Sequence, residues 1–215
     1  MDIETGRLHL RDLEEADFAT IHELQTDPLV RPFVGWPHVE SEVDSRAWLS
    51  NTLLHNAARP RFSHSCAIVL RSEGAVAGWI GFGHPSEGKE FGDLDFGYAI
   101  LPRLWNQGLM TEALRGTLAF IFTAPGVVVV REGEHPRTRA AKSVFGECAV
   151  ANPASARVME KAGMRGVADL VDPSAHTEET RHKYRYFIDR GTWEQYARLP
   201  FAQRPLSVDG EGVGG

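Results

Sequence analysis

The chain has few cysteines, a deficit of basic residues and no long apolar run, and each shortage excludes a class of protein. Cys66 and Cys148 are the only two cysteines in 215 residues. They are too few for a disulfide-stapled scaffold, and each lies in an apolar, strand-like run where a reduced, buried thiol is expected. Lys and Arg total 23 against 29 Asp and Glu, a formal net charge of −6. That balance argues against nucleic acid as the main partner, since affinity for a phosphate backbone rests on basic side chains. No apolar run approaches the ~18 residues of a membrane span, and no basic stretch followed by an apolar one opens the chain, so neither membrane nor export is indicated and a cytoplasmic protein is expected. The nine histidines fall at no recognised metal spacing, and no metal is expected. No internal repeat is visible.

A core-forming composition remains, with 42% hydrophobic and 24% charged residues, as in an ordinary globular domain. One domain is expected over residues 1–200, with 201–215, ending DGEGVGG, as a flexible tail. RLHLRDL alternates as a strand, and the apolar spacing of Phe18, Ile21 and Leu24 predicts a helix ending before Pro28. The link from Asp27 to Glu40 holds three prolines with Phe33, Trp36 and His38. A second helix is predicted from Ser41 to about Leu54, with Val43, Ala47, Trp48 and Leu54 as its apolar positions. SCAIVLR and AVAGWIGFG read as a hairpin turning near Gly74, and DLDFGYAIL as a further strand. VVVV (127–130) and SVFGECAV are strand candidates, KYRYFID is another, and a tail helix is expected around Trp193. The linker 131–142 has no secure assignment. Strands and helices in this order predict an α/β layered domain around a mixed sheet.

Two stretches carry chemistry. In LPRLWNQGLMTEAL, a turn through Asn106, Gln107 and Gly108 runs straight into a helix expected over Thr111 to Phe122. Such a corner leaves backbone N–H groups unpaired at a helix N-terminus, which is a site for phosphate. In ANPASARVMEKAGM, Asn152 and Pro153 stand where a cap and first turn belong, and Gly163 closes the helix.

Together with TGRLHLRDLEEAD near the start, these segments resemble the GNAT acetyltransferases, specifically the ribosomal-protein (RimJ/RimL-like) branch, from about Thr5 to Trp193. The resemblance implies a single domain with a mixed, mostly antiparallel twisted sheet, helices on both faces, and a fourth and fifth strand that splay apart. It implies acetyl-CoA as acyl donor, with the pantetheine arm along Tyr98, Ala99 and Ile100. The pyrophosphate would rest on the backbone of Asn106, Gln107, Gly108, Leu109, Met110 and Thr111, and Asn152 and Ser155 would lie beside the arm. Trp105 and Met110 depart from the family's Gln/Arg-x-x-Gly-x-Gly/Ala pattern, and Met110 is expected to turn outward from the phosphates.

Acyl transfer to an amine needs a proton acceptor, because an alkyl or α-amine is mostly protonated at neutral pH. Glu147, five residues before Asn152, is the leading candidate, by resemblance to GNAT enzymes that acetylate protein N-termini. Asp93 and Asp95, expected on one face of the preceding strand, compete with it. The tyrosine that GNAT enzymes often place seven residues after the asparagine is Met159 here, which leaves Ser155 as the expected donor to the departing thiolate. No acyl-enzyme is required. Phe33, Trp36 and His38 are expected to shape the entrance for an amine-bearing small molecule or protein N-terminus, and a homodimer is compatible with the family. A longer acyl donor and a non-catalytic acyl-CoA-binding module remain alternatives.

Overall fold

The computed structural model describes residues 1–34, 39–85, 92–124, 128–129, 137–138, 141–172, 175 and 177–199. In chain order the elements are β1 (Asp2–Glu4), β2 (Leu8–Asp12), α1 (Phe18–Thr26), α2 (Glu42–Ala57), β3 (Ser63–Leu70), β4 (Val76–Gly83), β5 (Leu94–Ile100) and α3 (Leu109–Thr123). There follow β6 (Val128–Val129), β7 (Arg137–Thr138), β8 (Ser143–Ala149), α4 (Pro153–Lys161), β9 (Arg165–Val171), α5 (Glu178–Arg181), β10 (His182–Asp189) and α6 (Arg190–Arg198).

Eight strands form one sheet in the order β1-β2-β3-β4-β5-β8-β10-β9, and β6 and β7 make a separate pair. Every neighbour in the large sheet is antiparallel except β5 and β8. Strand alternation sends one set of side chains to each face. Leu8, Leu10, Cys66, Ile68 and Ile80 pack against Leu114, Leu118, Ile121 and Phe122 of α3 and Met159 of α4. On the other face Ala67 and Val69 meet Ile21 of α1 and Leu49 of α2. Leu114, Leu118 and Ile121 recur at i, i+4 and i+7, so one stripe of α3 is buried, at roughly 1.5–3 kcal/mol per side chain. Among the described residues no helix is long and apolar enough to cross a membrane.

Three expectations change. α3 starts at Leu109 rather than Thr111, directly after Gly108. α2 turns a different stripe inward: Val43 and Leu54 are exposed, and the buried residues are Ser45, Leu49, Thr52 and Asn56. Polar groups are tolerated there because they are bonded. Ser45 Oγ lies 2.8 Å from His22 Nδ1, and the Asn56 amide pairs with both backbone groups of Ser65. Finally, β9 (Arg165–Val171), where no element is expected from the sequence, joins the sheet as an edge strand. The tail beyond 199 and most of 125–140 lie outside the described residues.

Candidate active site

The turn between β5 and α3 is built by backbone. Asn106 and Gly108 both take left-handed φ angles, 61° and 73°, conformations that Asn tolerates and Gly adopts without penalty. They reverse the chain so that α3 begins at once. The first helical hydrogen bond runs from Glu112 N–H to Gly108 O, and no side chain caps the helix. The N–H groups of Leu109, Met110 and Thr111 therefore have no acceptor within the helix and open toward its positive end. Met110, expected to turn outward from the phosphates, packs with Leu109 in the core. Trp105 Nε1 donates to Ile100 O at 2.8 Å, tying the turn to the end of β5.

A second set of contacts holds the turn from below. Arg7 Nε donates to Glu112 Oε2 at 2.7 Å and Arg7 Nη1 to Gln107 O at 2.9 Å. Glu112 Oε1 also accepts from the Thr5 hydroxyl and Arg7 N–H. Burial acts to raise the Glu112 pKa, but these bonds outweigh it and hold the carboxyl below its usual range. Thus TGRLHLR and WNQGLMTEAL, two separate motifs in the sequence, are one structure.

β5 and β8 splay. They pair only at Leu94 with Val144 and Asp95 with Phe145. Beyond that vertex, Phe96 to Ile100 pair with β4 alone and Gly146 to Ala149 with β10 alone. The facing edges, with Tyr98, Ala99 and Ile100 on one side, form a V whose backbone groups can receive an extended, amide-bearing arm. At the vertex Phe96 covers Gly146 so closely that a Cβ there would collide with its ring.

α4 closes one side of the V. The Asn152 side chain accepts Ser155 N–H at 3.1 Å as the helix cap, with Pro153 in the first turn. Ser155 Oγ lies 2.8 Å from the Tyr98 hydroxyl. Burial pushes the Cys148 thiol up to about 11 and the Cys66 thiol up to about 12. Both stay protonated near neutral pH, so neither is an activated nucleophile. Met159 is buried in the core.

The carboxylates lie toward the opposite face. Glu147 sits across from Arg185 on β10, which donates to Glu147 Oε1 through Nη2 at 2.5 Å and Nε at 2.9 Å. Both side chains are about 15% exposed or less, so each compensates a charge that would otherwise be costly to bury. Asp95 is on the vertex pair with Phe145, one alternation from Glu147. Asp93 does not share its strand face: it precedes β5, is 1% exposed, and accepts Lys142 N–H at 2.6 Å as an anchor for the start of β8. Phe33 is half-buried in a 3-10 turn, Arg31–Phe33, while Trp36 and His38 lie outside the described residues. On the same side the buried Gln25 amide has no hydrogen-bond partner among the described residues. Arg185, the Tyr98 hydroxyl and the Arg7–Glu112 pair were not assigned from sequence. Arg7 lay inside a noted motif, but nothing local indicated its partner more than a hundred residues away.

Residues 7–165 match the model of the acetyltransferase (GNAT) domain. The uncharacterized N-acetyltransferase YnaD of Bacillus subtilis is 26% identical over 195 residues, 90% of this chain and 99% of that protein. A GNAT-family acetyltransferase from Bacillus anthracis superposes with a TM-score of 0.68 at 25% identity, covering 89% of this chain and 99% of that one. RimL, a ribosomal L7/L12 α-N-protein acetyltransferase solved with coenzyme A, shares the fold with a TM-score of 0.67 at 16% identity, covering 88% and 98%. With the backbone-built turn, the splayed strands and the capped helix in the order the family requires, the chain belongs to the GNAT acetyltransferase family.

Proposed function

We propose that the protein transfers an acetyl group from acetyl-CoA to a primary amine by direct attack. The observation that carries this reading is the V between β5 and β8 opening beside a helix N-terminus whose first amides have no acceptor within the helix. The residues present fit the donor: the 106–111 backbone suits a pyrophosphate, and Tyr98 to Ile100 offer a strand edge to the arm. Acetyl-CoA supplies an activated acyl group with a thiolate leaving group. Phe96 over Gly146 leaves little room at the vertex, which favours a short acyl chain over a long one.

Glu147, its orientation set by Arg185, takes the amine's proton directly or through water. Asp95, close by on the same sheet face, helps draw a cationic acceptor. Ser155 hydrogen-bonds the departing sulfur, and Asn152 fixes the backbone from which it projects. The buried, protonated thiols support transfer without an acyl-enzyme. Phe33, Trp36 and His38 are proposed to line the acceptor entrance. The test is thiol release from acetyl-CoA against a panel of primary amines, including polyamines and peptides with free N-termini. Turnover with at least one amine is expected. Tight coenzyme binding with no thiol release from any amine would replace this reading with a non-catalytic acyl-CoA-binding module.

A further inference from the structure

Tyr98 is the polar group of the cleft to which the reaction above gives no task. It projects from β5, stacked on Phe96 with ring centroids 5.9 Å apart and planes 17° from parallel. Its hydroxyl lies 2.8 Å from Ser155 Oγ and 3.2 Å from Ser155 O. Ser155 thus faces a phenol on one of the two splayed strands. Burial raises the Tyr98 pKa, so the phenol keeps its proton at neutral pH and cannot act as a base toward Ser155.

Proton counting then restricts the arrangement. Each hydroxyl has one proton to give. When Tyr98 donates to Ser155 O, its oxygen is left to accept from Ser155, whose proton is then directed at the phenol. When Tyr98 donates to Ser155 Oγ, the shorter of the two contacts, Ser155's proton is released toward the cleft.

We propose that Tyr98 is a positioning residue for acyl transfer: by donating to Ser155 Oγ it aims the Ser155 hydroxyl at the departing sulfur. This rests on the transferase reading above. As the amine nitrogen bonds to the acyl carbon, the carbon–sulfur bond breaks and its electron pair stays on sulfur, where the Ser155 O–H receives it as a hydrogen bond. The amine's proton leaves through the carboxylate face and solvent later protonates the thiolate, so protons and electrons balance. The arrangement also accounts for Met159, one helical turn from Ser155 and buried: the phenol expected there from the family resemblance comes instead from the facing strand.

The test uses the full chain and its Tyr98→Phe, Ser155→Ala and double variants. Turnover is measured with acetyl-CoA and an accepted amine from the panel, and calorimetry compares coenzyme A with desulfo-coenzyme A at pH 9, where part of the thiol is ionised. Tyr98→Phe keeps the ring and its stacking, so kcat should fall about tenfold, the worth of one hydrogen bond. KM for acetyl-CoA and affinity for the desulfo ligand should stay unchanged. In the Ser155→Ala background the same change should add nothing, and the parent's preference for coenzyme A over its desulfo analogue should shrink in Tyr98→Phe. Parental kcat in Tyr98→Phe, a loss that multiplies onto that of Ser155→Ala, or an equal fall in affinity for both ligands would each overturn the proposal. If the parent acetylates no amine, the transferase reading fails by itself, and the two-ligand comparison still decides for or against Tyr98.

Discussion

The turn after β5 and the V between β5 and β8 adjoin, yet they are made differently. In the turn the groups proposed to bind the coenzyme are backbone amides, presented by two left-handed residues within three positions, and side chains serve as props. In the V the backbone supplies only open edges, and the proposed chemistry depends on side chains that meet between elements: Tyr98 of β5 with Ser155 of α4, Glu147 of β8 with Arg185 of β10. A backbone site tolerates most side-chain changes and fails when its φ angles change. A side-chain site should show the opposite sensitivity.

The sharpest break of that contrast is Gly108→Pro. Gly108 has φ 73°, whereas proline is held near −65°, so coenzyme A affinity measured by calorimetry should fall on the order of several hundredfold. Gln107→Ala, which removes only a 3.3 Å side-chain bond to Arg103 O, should change it less than about threefold. Equal, small effects would count against the amide site. In the V, Glu147→Gln should lower kcat on the order of a hundredfold at neutral pH with coenzyme affinity intact. The deficit should narrow at high pH, where neutral amine forms without help. Full activity in that variant together with a loss in Asp95→Asn would move the base to β5.

A smaller effect tests the props. Arg7→Ala removes the contacts to Glu112 and Gln107 O, and coenzyme affinity should drop about tenfold while kcat at saturation changes little. A fall in kcat alone would show that turn and V are less separate than the geometry implies.

The smallest effect serves as a control away from both regions. His64, buried and stacked on Phe82 at 4.5 Å, is pushed down to about 3, chiefly by burial and then by Arg61. Its folded value lies below the unfolded one near 6.5, so below pH 6.5 the unfolded chain binds a proton that the folded chain does not. Stability is therefore complete above that pH and falls as pH drops toward 3, by about 2 kcal/mol at pH 5. His64→Phe should flatten denaturation midpoints between pH 7 and 5 while leaving coenzyme affinity unchanged at pH 7. An unaltered pH slope would remove His64 as the cause.

Sequence alone determined most strands and helices of the sheet and its two layers, because alternation and helical spacing are local consequences of burial. It also determined the turn: Asn106, Gly108 and the following apolar helix lie within a few residues, and a backbone site needs only that local conformation. Folding decided what depends on distant residues. The inward stripe of α2 follows from partners that bury Ser45 and Asn56 with their hydrogen bonds made, a condition invisible in hydrophobic periodicity. The family resemblance points to Glu147, but its arginine comes from β10, 38 residues away. Tyr98 reaches Ser155 across 57 residues, only because β5 and β8 part after two pairs of matched positions. Local sequence prescribes backbone conformation, whereas the pairing of side chains across a cleft is settled by the packing of whole elements against one another.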